Sequence, residues 1–264
     1  MKKKDNLVSV IIINYNNKKF LKRSIESVLN QTYTKIELIV VDNNSNDGSL
    51  EIIKNYKKKI RFISNKRRVN HGSYNQIHCI EKALKKIRGK IIFFLDSDDF
   101  FMKNKVEIIM KKFCKSSENL IFDKSINYYN KRNKKKIHLN KRTNIITPWP
   151  RFYPQSCISI RKNYLMKIYP KIKINNYPNV WFDFRVAMQT YLLFGKIHII
   201  EKFLTNYQQS NSQISSKFKK FSKNWWKRRN QAHEFTNYLY KKNSIKKNKN
   251  LDEYLTNFIN KLLK

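Results

Sequence analysis

The 264-residue sequence is poor in glycine (4), proline (5), cysteine (3) and acidic residues (18, against 57 lysines and arginines). Each shortage excludes something. Cys79, Cys114 and Cys157 are widely spaced, with no CxxC and no paired pattern, so a disulfide framework is not expected; reduced thiols of a cytoplasmic protein are. No apolar run nears the roughly 20 residues of a bilayer span. The basic start MKKKDN leads into VSVIIIN, which is too short and strand-like for a signal peptide. There is no GxGxxG after the first apolar run and no GxxxxGK[ST], so dinucleotide and P-loop readings lack their phosphate cradle. The four glycines, Gly48, Gly72, Gly89 and Gly195, all fall where turns are expected.

What is abundant is positive charge, +39 net. Lysine far outnumbers arginine and is spread along the chain, while Asn, Ile, Phe and Tyr are also frequent. That is the signature of AT-rich codons, so nucleic acid is not the expected partner. A peripheral hold on an anionic membrane is compatible with the charge. A hydrophobic content of 41%, 14% of the chain being aromatic, excludes wholesale disorder.

The first hundred residues alternate apolar runs with amphipathic stretches. Strands are predicted at 8–13, 36–41, 60–64 and 91–95, and helices at 18–31, 49–56, 73–87 and 103–115. This alternation argues for a mostly parallel α/β sheet flanked by helices. Further on, strands are expected at 119–123, 157–160, 196–200 and 203–207, with a hairpin over 125–139. Residues 143–156 read as an aromatic loop, 183–194 as a helix and the tail from 216 as basic and helical. Polar clusters follow three of the early strands: Asn14–Asn16, Asp42–Asp47 and Asp96–Asp99. In a doubly wound sheet such ends share one edge. Three carboxylates there, in a chain with few to spare, suggest a divalent cation held by oxygen ligands.

The segment VSVIIINYNNKKFLKRSIESVLNQTYTKIELIVVDNNSNDGS and the later LDSDD resemble the opening motifs and the DxD of family 2 glycosyltransferases, inverting enzymes of the Rossmann-like GT-A fold. The likeness is dense over 7–57 and 88–102 and looser over 155–215. It implies that Tyr15, Asn16 and Asp42 contact the nucleotide base, that Asp96 meets the ribose or a metal-bound water, and that Asp98 ligates Mn²⁺ or Mg²⁺. Asp99 either joins the site or caps the following helix. Asp183 matches the general base, with Phe182 in place of the usual Glu; as a helix-start aspartate it needs burial, against Trp181 or Phe184, to offset the dipole's lowering of its pKa. Asn43-Asn44 replace the usual Asp-Gly, and Gln208 and Ser210 stand where Arg and His are common. The phosphate-side arginine is missing, with Lys66, Arg67 or Arg68 as substitutes, and His71 and His78 read as surface residues.

The resemblance implies a nucleotide-diphosphate sugar donor, most simply a UDP-sugar, and a glycan or lipid-linked acceptor. It divides the chain into a nucleotide-sugar half (1–122), an acceptor half (123–215) and a basic helical tail (216–264). The loop at 148–153 and Trp181 are candidate acceptor walls. The rival reading is a non-catalytic module using its tail. There Phe218, Phe221, Trp225 and Trp226 alternate with Lys/Arg and suit a membrane interface, single-stranded nucleic acid, or simple packing on the core.

Overall fold

The computed structural model describes residues 7–139, 147–210, 218–247 and 250–263. The basic start MKKKDN, the first part of the aromatic loop and residues 216–217 of the tail lie outside them. Strands and helices alternate as β1 (Val8–Asn14), α1 (Lys18–Leu29), β2 (Ile36–Asp42), α2 (Ser49–Asn55), β3 (Arg61–Ser64), α3 (Gly72–Leu84) and β4 (Ile91–Asp96). Then come β5 (Phe100–Phe101), α4 (Lys105–Cys114), β6 (Leu120–Tyr128), β7 (Lys134–Lys136), β8 (Ile158–Arg161), α5 (Lys162–Ile172), α6 (Phe182–Phe194) and β9 (His198–Gln208). The chain ends in α7 (Lys223–Lys242) and α8 (Leu251–Leu262).

The strands form one sheet in the order β3-β2-β1-β4-β8-β6-β9-β5, with β7 on β6. β3, β2, β1 and β4 are parallel; β8 is antiparallel to β4 and β6, while β9 is parallel to β6 and antiparallel to β5. The sheet is therefore parallel across the expected first half and mixed beyond it. Alternation along β1 feeds two cores: Val8, Val10 and Ile12 pack with Leu21 and Ile25 of α1 and Val106 and Ile109 of α4. Ile11 points the other way, toward Ile77, Leu165, Val186 and Phe235 on α3, α5, α6 and α7. Full burial of both faces is why these strands read as continuous apolar runs.

Several elements differ from the sequence expectation. The two segments expected either side of Lys124 join as β6, and those either side of Glu201 join as β9; register shifts near Lys124 absorb the irregularity. Helix α5 was not expected, because Pro170 interrupts its pattern, although Tyr164, Leu165, Ile168 and Ile172 bury one helical face. The position expected to separate the two halves, 122/123, falls inside β6. Trp225 and Trp226 are half-buried on α7, whose packing on the core is carried by Phe235 and Leu239.

Gly89 precedes β4 at a close backbone approach: a Cβ there would lie 2.4 Å from Ser9 N and 2.5 Å from Val8 C. Its own N–H donates to Ser9 Oγ (2.9 Å) and Glu37 Oε1 (3.0 Å), which align the starts of β1, β2 and β4. Gly89→Ala should therefore destabilise the fold by about 1–3 kcal/mol or more, because backbone has to move. A lowered denaturation midpoint checks this; an unchanged one would show that the approach is not tight.

Candidate active site

The parallel register brings the three polar strand ends together. Asn14 is level with Asp42, and Asp96 is level with Ile13. The loop after β2 is held by Asp42, which is buried. Its Oδ1 accepts from Asn14 Nδ2 (2.8 Å) and Ser45 Oγ (2.6 Å), and its Oδ2 from Ser45 N (2.9 Å). Asn44 sits at φ +63°, the left-handed conformation that glycine would take and that asparagine tolerates. Asn16, also left-handed (φ +47°), exchanges hydrogen bonds with Asn46, locking the β1 and β2 loops together. Tyr15 is exposed, with the Arg68 guanidinium 3.2 Å from its ring centroid. Arg68, one of the three substitutes for the missing phosphate-side arginine, thus stands over the strand-end aromatic.

The turn after β4 carries the carboxylates. Asp96 and Asp98 are half-buried, whereas Asp99 is wholly buried. Asp96 Oδ1 accepts from Gln155 Nε2 (2.8 Å). Asp99 accepts from Ser156 Oγ (2.6 Å) and Gln208 N (2.8 Å). It does not cap α4, whose N-cap is Asn104 without a side-chain cap bond. Arg23 of α1 donates to Asp98 O (2.9 Å) and Gln208 Oε1 (2.6 Å), and stacks on Phe100 (4.2 Å) and Tyr128 (5.1 Å). Beneath lies a fully buried ion pair, Lys105 to Asp123 at 2.7 Å. Lys105 Nζ also donates to Ser156 O (2.6 Å) and Thr205 Oγ1 (2.7 Å).

Sequence reasoning missed Arg23, Lys105, Gln155 and Ser156. Each is a single polar residue in an otherwise ordinary segment, and only the tertiary pairing reveals it.

Asp183 enters from the first turn of α6, where its Oδ1 accepts from Phe184 N (2.7 Å). Phe182, in the place of the usual Glu, is core and packs on Phe94 at 4.9 Å. The loop before α6 is fixed from inside by buried Arg185, which donates to the carbonyls of Ile172 (2.7 Å), Ile174 (2.7 Å), Tyr177 (3.0 Å) and Val180 (2.8 Å). In the aromatic loop Trp149 faces Phe184 (5.5 Å) and Phe152 faces Phe122 and Phe184. Tyr153 is buried and donates to Ile137 O, so it cannot be an acceptor wall. His71 is exposed and His78 half-buried, as surface residues should be.

Electrostatics tie these groups into one site. Burial pushes the Asp96 carboxyl up to about 8, with further contributions from Asp98 and then Asp183. Burial raises Asp99 well above the ordinary range, helped by Asp98 and Asp96. Asp98 is also raised by burial, with Arg23 opposing. For Asp183 burial outweighs Arg228 and the Phe184 amide, so its pKa goes up despite its helix-start position. Tyr207 is raised by burial and by all four carboxylates.

Among the described residues no three His, Cys, Asp or Glu side chains are arranged to hold a metal ion. The donor set nevertheless fits Mg²⁺ or Mn²⁺, which take one or two carboxylates and complete their shell with water and substrate phosphates. Asp96 and Asp98 repel one another and are under-neutralised, the condition that a bound divalent cation relieves.

A family model for "Glycosyl transferase family 2" matches residues 9–189, more than half of the chain. The chain belongs to this family. Within it, the sequence is 41% identical over 100 residues to Escherichia coli WfaP, "UDP-Glc:alpha-D-GlcNAc-diphosphoundecaprenol beta-1,3-glucosyltransferase". That match spans 38% of this chain and 38% of WfaP, well under two thirds of the relative's length. The fold is that of GT-A glycosyltransferases. It superposes on Staphylococcus aureus TarS in complex with UDP-GlcNAc at TM-score 0.64 and 18% identity, covering 96% of this chain and 70% of that one. It also superposes on the mannosyltransferase PcManGT of Pyrobaculum calidifontis in complex with GDP-Man and Mn²⁺, at TM-score 0.59 and 16% identity, covering 98% and 70%.

Two outcomes follow for this family member. A carboxyl whose folded pKa is raised binds its proton more tightly when folded, so it costs stability as pH climbs from its unfolded value, near 4, to its folded one. The metal-free protein should therefore lose melting temperature as pH rises above about 4, Asp96 contributing up to about pH 8. Asp98→Asn should flatten that slope, and an equally steep slope in the variant would contradict the repulsion. Lys105→Met, which strands Asp123, should cost about 3–5 kcal/mol in chemical denaturation.

Proposed function

We propose that the protein is a metal-assisted inverting glycosyltransferase. It moves a sugar from a nucleotide-diphosphate sugar, a UDP-sugar in the first instance, to a hydroxyl of a growing glycan or lipid-linked acceptor. The observation that carries this reading is that Asp183, from the second half of the chain, lies within electrostatic reach of Asp96 at the end of β4. A strand-end carboxylate pair and a nearby aspartate whose pKa burial raises would be the two halves of an inverting displacement.

In this reading Tyr15, Asn16 and Asp42 receive the nucleotide base. The exposed Tyr15 ring offers a stacking face, and Arg68 above it can close over the base or reach the diphosphate. Asp42, already bonded to Asn14 and Ser45, keeps lone-pair capacity on Oδ2 for a base N–H. Asp96 serves the ribose side, and Asp98 with Asp96 would hold Mn²⁺ or Mg²⁺. The ion, when bound, supplies charge neutralisation for the departing diphosphate. Asp183 takes the proton of the acceptor hydroxyl as that oxygen attacks the anomeric carbon from the face opposite the diphosphate, through an oxocarbenium-like transition state. Its raised pKa makes it a better base than an exposed aspartate.

Residues 1–122 supply the donor side, 123–215 the acceptor side and 216–264 an appended tail. Trp149, beside Phe184, and Trp181 are candidate acceptor walls. The Mn²⁺ in the PcManGT complex and the lipid-diphosphate acceptor in WfaP's name support the metal and a lipid-linked glycan, which would place the reaction at the inner face of the cytoplasmic membrane. The presence of Asp98 and Asp183 together within electrostatic reach of Asp96 argues against the non-catalytic alternative.

A panel of UDP-, GDP- and dTDP-sugars with Mn²⁺ or Mg²⁺, read by donor turnover, tests the proposal; no turnover with any pair would sink it. Asp183→Asn should lower kcat by about 10²–10⁴ with nucleotide affinity retained. The wild-type rate should fall with decreasing pH through a pKa above the ordinary aspartate range, because only the ionised carboxylate accepts a proton. Full activity in Asp183→Asn would move the base elsewhere.

A further inference from the structure

Helix α8 is built inside out. Its protein-facing side is polar. Asp252 accepts from Arg229 Nε (3.0 Å) and lies 2.9 Å from His233 Nε2; Glu253 accepts from Asn237 Nδ2 (2.6 Å) and pairs with Lys247. Asn260 Nδ2 donates to Trp226 O (3.1 Å). These contacts fix the rotation of α8 on α7. Its outward side is apolar: Leu251, Tyr254, Leu255, Phe258 and Leu262 recur at helical spacing and are between 48% and 82% exposed. A surface helix ordinarily turns such a stripe inward. Contiguous exposed apolar patches of more than a few hundred Å² mark interaction sites.

The surroundings of the stripe identify what covers it. Residues 216–264 hold fourteen lysines and arginines against three acids, Glu234, Asp252 and Glu253. The two acids on α8 are turned inward and paired, so among the described residues no acidic side chain of α8 faces out along the stripe. The Asn260–Trp226 contact sets the stripe's C-terminal half beside the start of α7, where exposed Phe221 meets Trp225 (5.4 Å) and Trp226 (6.3 Å) among Lys220, Lys223 and Lys227. An apolar helix face, interfacial tryptophans and a belt of lysines together complement an acidic lipid surface. A second copy of this chain complements it poorly, because each carries +39.

We propose that α8 lies on an anionic bilayer, with its apolar stripe in the headgroup–acyl boundary and Lys220, Lys223 and Lys227 over acidic headgroups. This holds whichever donor or acceptor the site takes, and it extends the membrane contact from the 217–229 segment to α8.

Co-sedimentation of the full chain with vesicles tests it, comparing phosphatidylcholine mixed with phosphatidylglycerol against phosphatidylcholine alone. Wild type should bind the mixed vesicles preferentially. The double variant L255E/F258E, altered only at exposed positions, should bind them about tenfold or more weakly with its melting temperature kept. F258W should shift its emission to the blue on the mixed vesicles, a readout that needs no destabilising change. The proposal is overturned if wild type does not bind, if L255E/F258E binds as wild type does, or if F258W emission does not move. It is equally overturned if light scattering shows a wild-type dimer that the double variant dissolves.

Discussion

Three residues, Ser97, Asp98 and Asp99, connect β4 to β5, yet four steps of the sheet order separate those strands. In a flat sheet four steps would set them about 19 Å apart. The chain from Asp96 to Phe100 reaches at most about 14 Å. The sheet must therefore curl until β9, carrying β5, comes round to the end of β4. This closure buries the Asp-Ser-Asp-Asp turn at the meeting of the two halves of the sheet, and the rest of the site follows from it.

Closure sets an electrostatic problem in a chain that is otherwise overloaded with positive charge. Acidic groups converge where water is thin, and their cations are few and specific. Lys105 answers Asp123 beneath the turn, Arg23 braces the turn through the Asp98 carbonyl, and Ser156 with the Gln208 amide satisfies Asp99. None of these fully neutralises Asp96 and Asp98, the two that face the cleft. The wholly buried Asp99 is held by Ser156 and the Gln208 amide, while the half-buried Asp96 has Gln155 alone; in the proposed function Asp99 is structural and Asp96 and Asp98 meet the ligand. Most of the +39 is spread over the outside of the chain.

The first half of the fold was legible because its physics is local. Apolar runs buried on both faces end in polar turns, and parallel pairing then puts those ends on one edge without further information. Asn44 in a left-handed turn fits the place of the usual Gly, which it fills. The second half was not, because its logic is long-range. Gln155, Ser156 and Gln208 become site supports only when β8 and β9 close on β4, and Pro170 hid α5 although its buried face is regular. For α8 the pattern showed only a basic, helical tail; the Arg229–Asp252–His233 contact shows which face of the helix points outward.

On the proposed function the curled sheet builds a site in which Asp98 couples a divalent cation to a nucleoside diphosphate. Calorimetric titration of UDP into the protein, with and without Mn²⁺, tests it most directly. Mn²⁺ should tighten UDP binding, and this gain should disappear in Asp98→Asn. Equal affinity with and without the metal, or an undiminished gain in the variant, would contradict it.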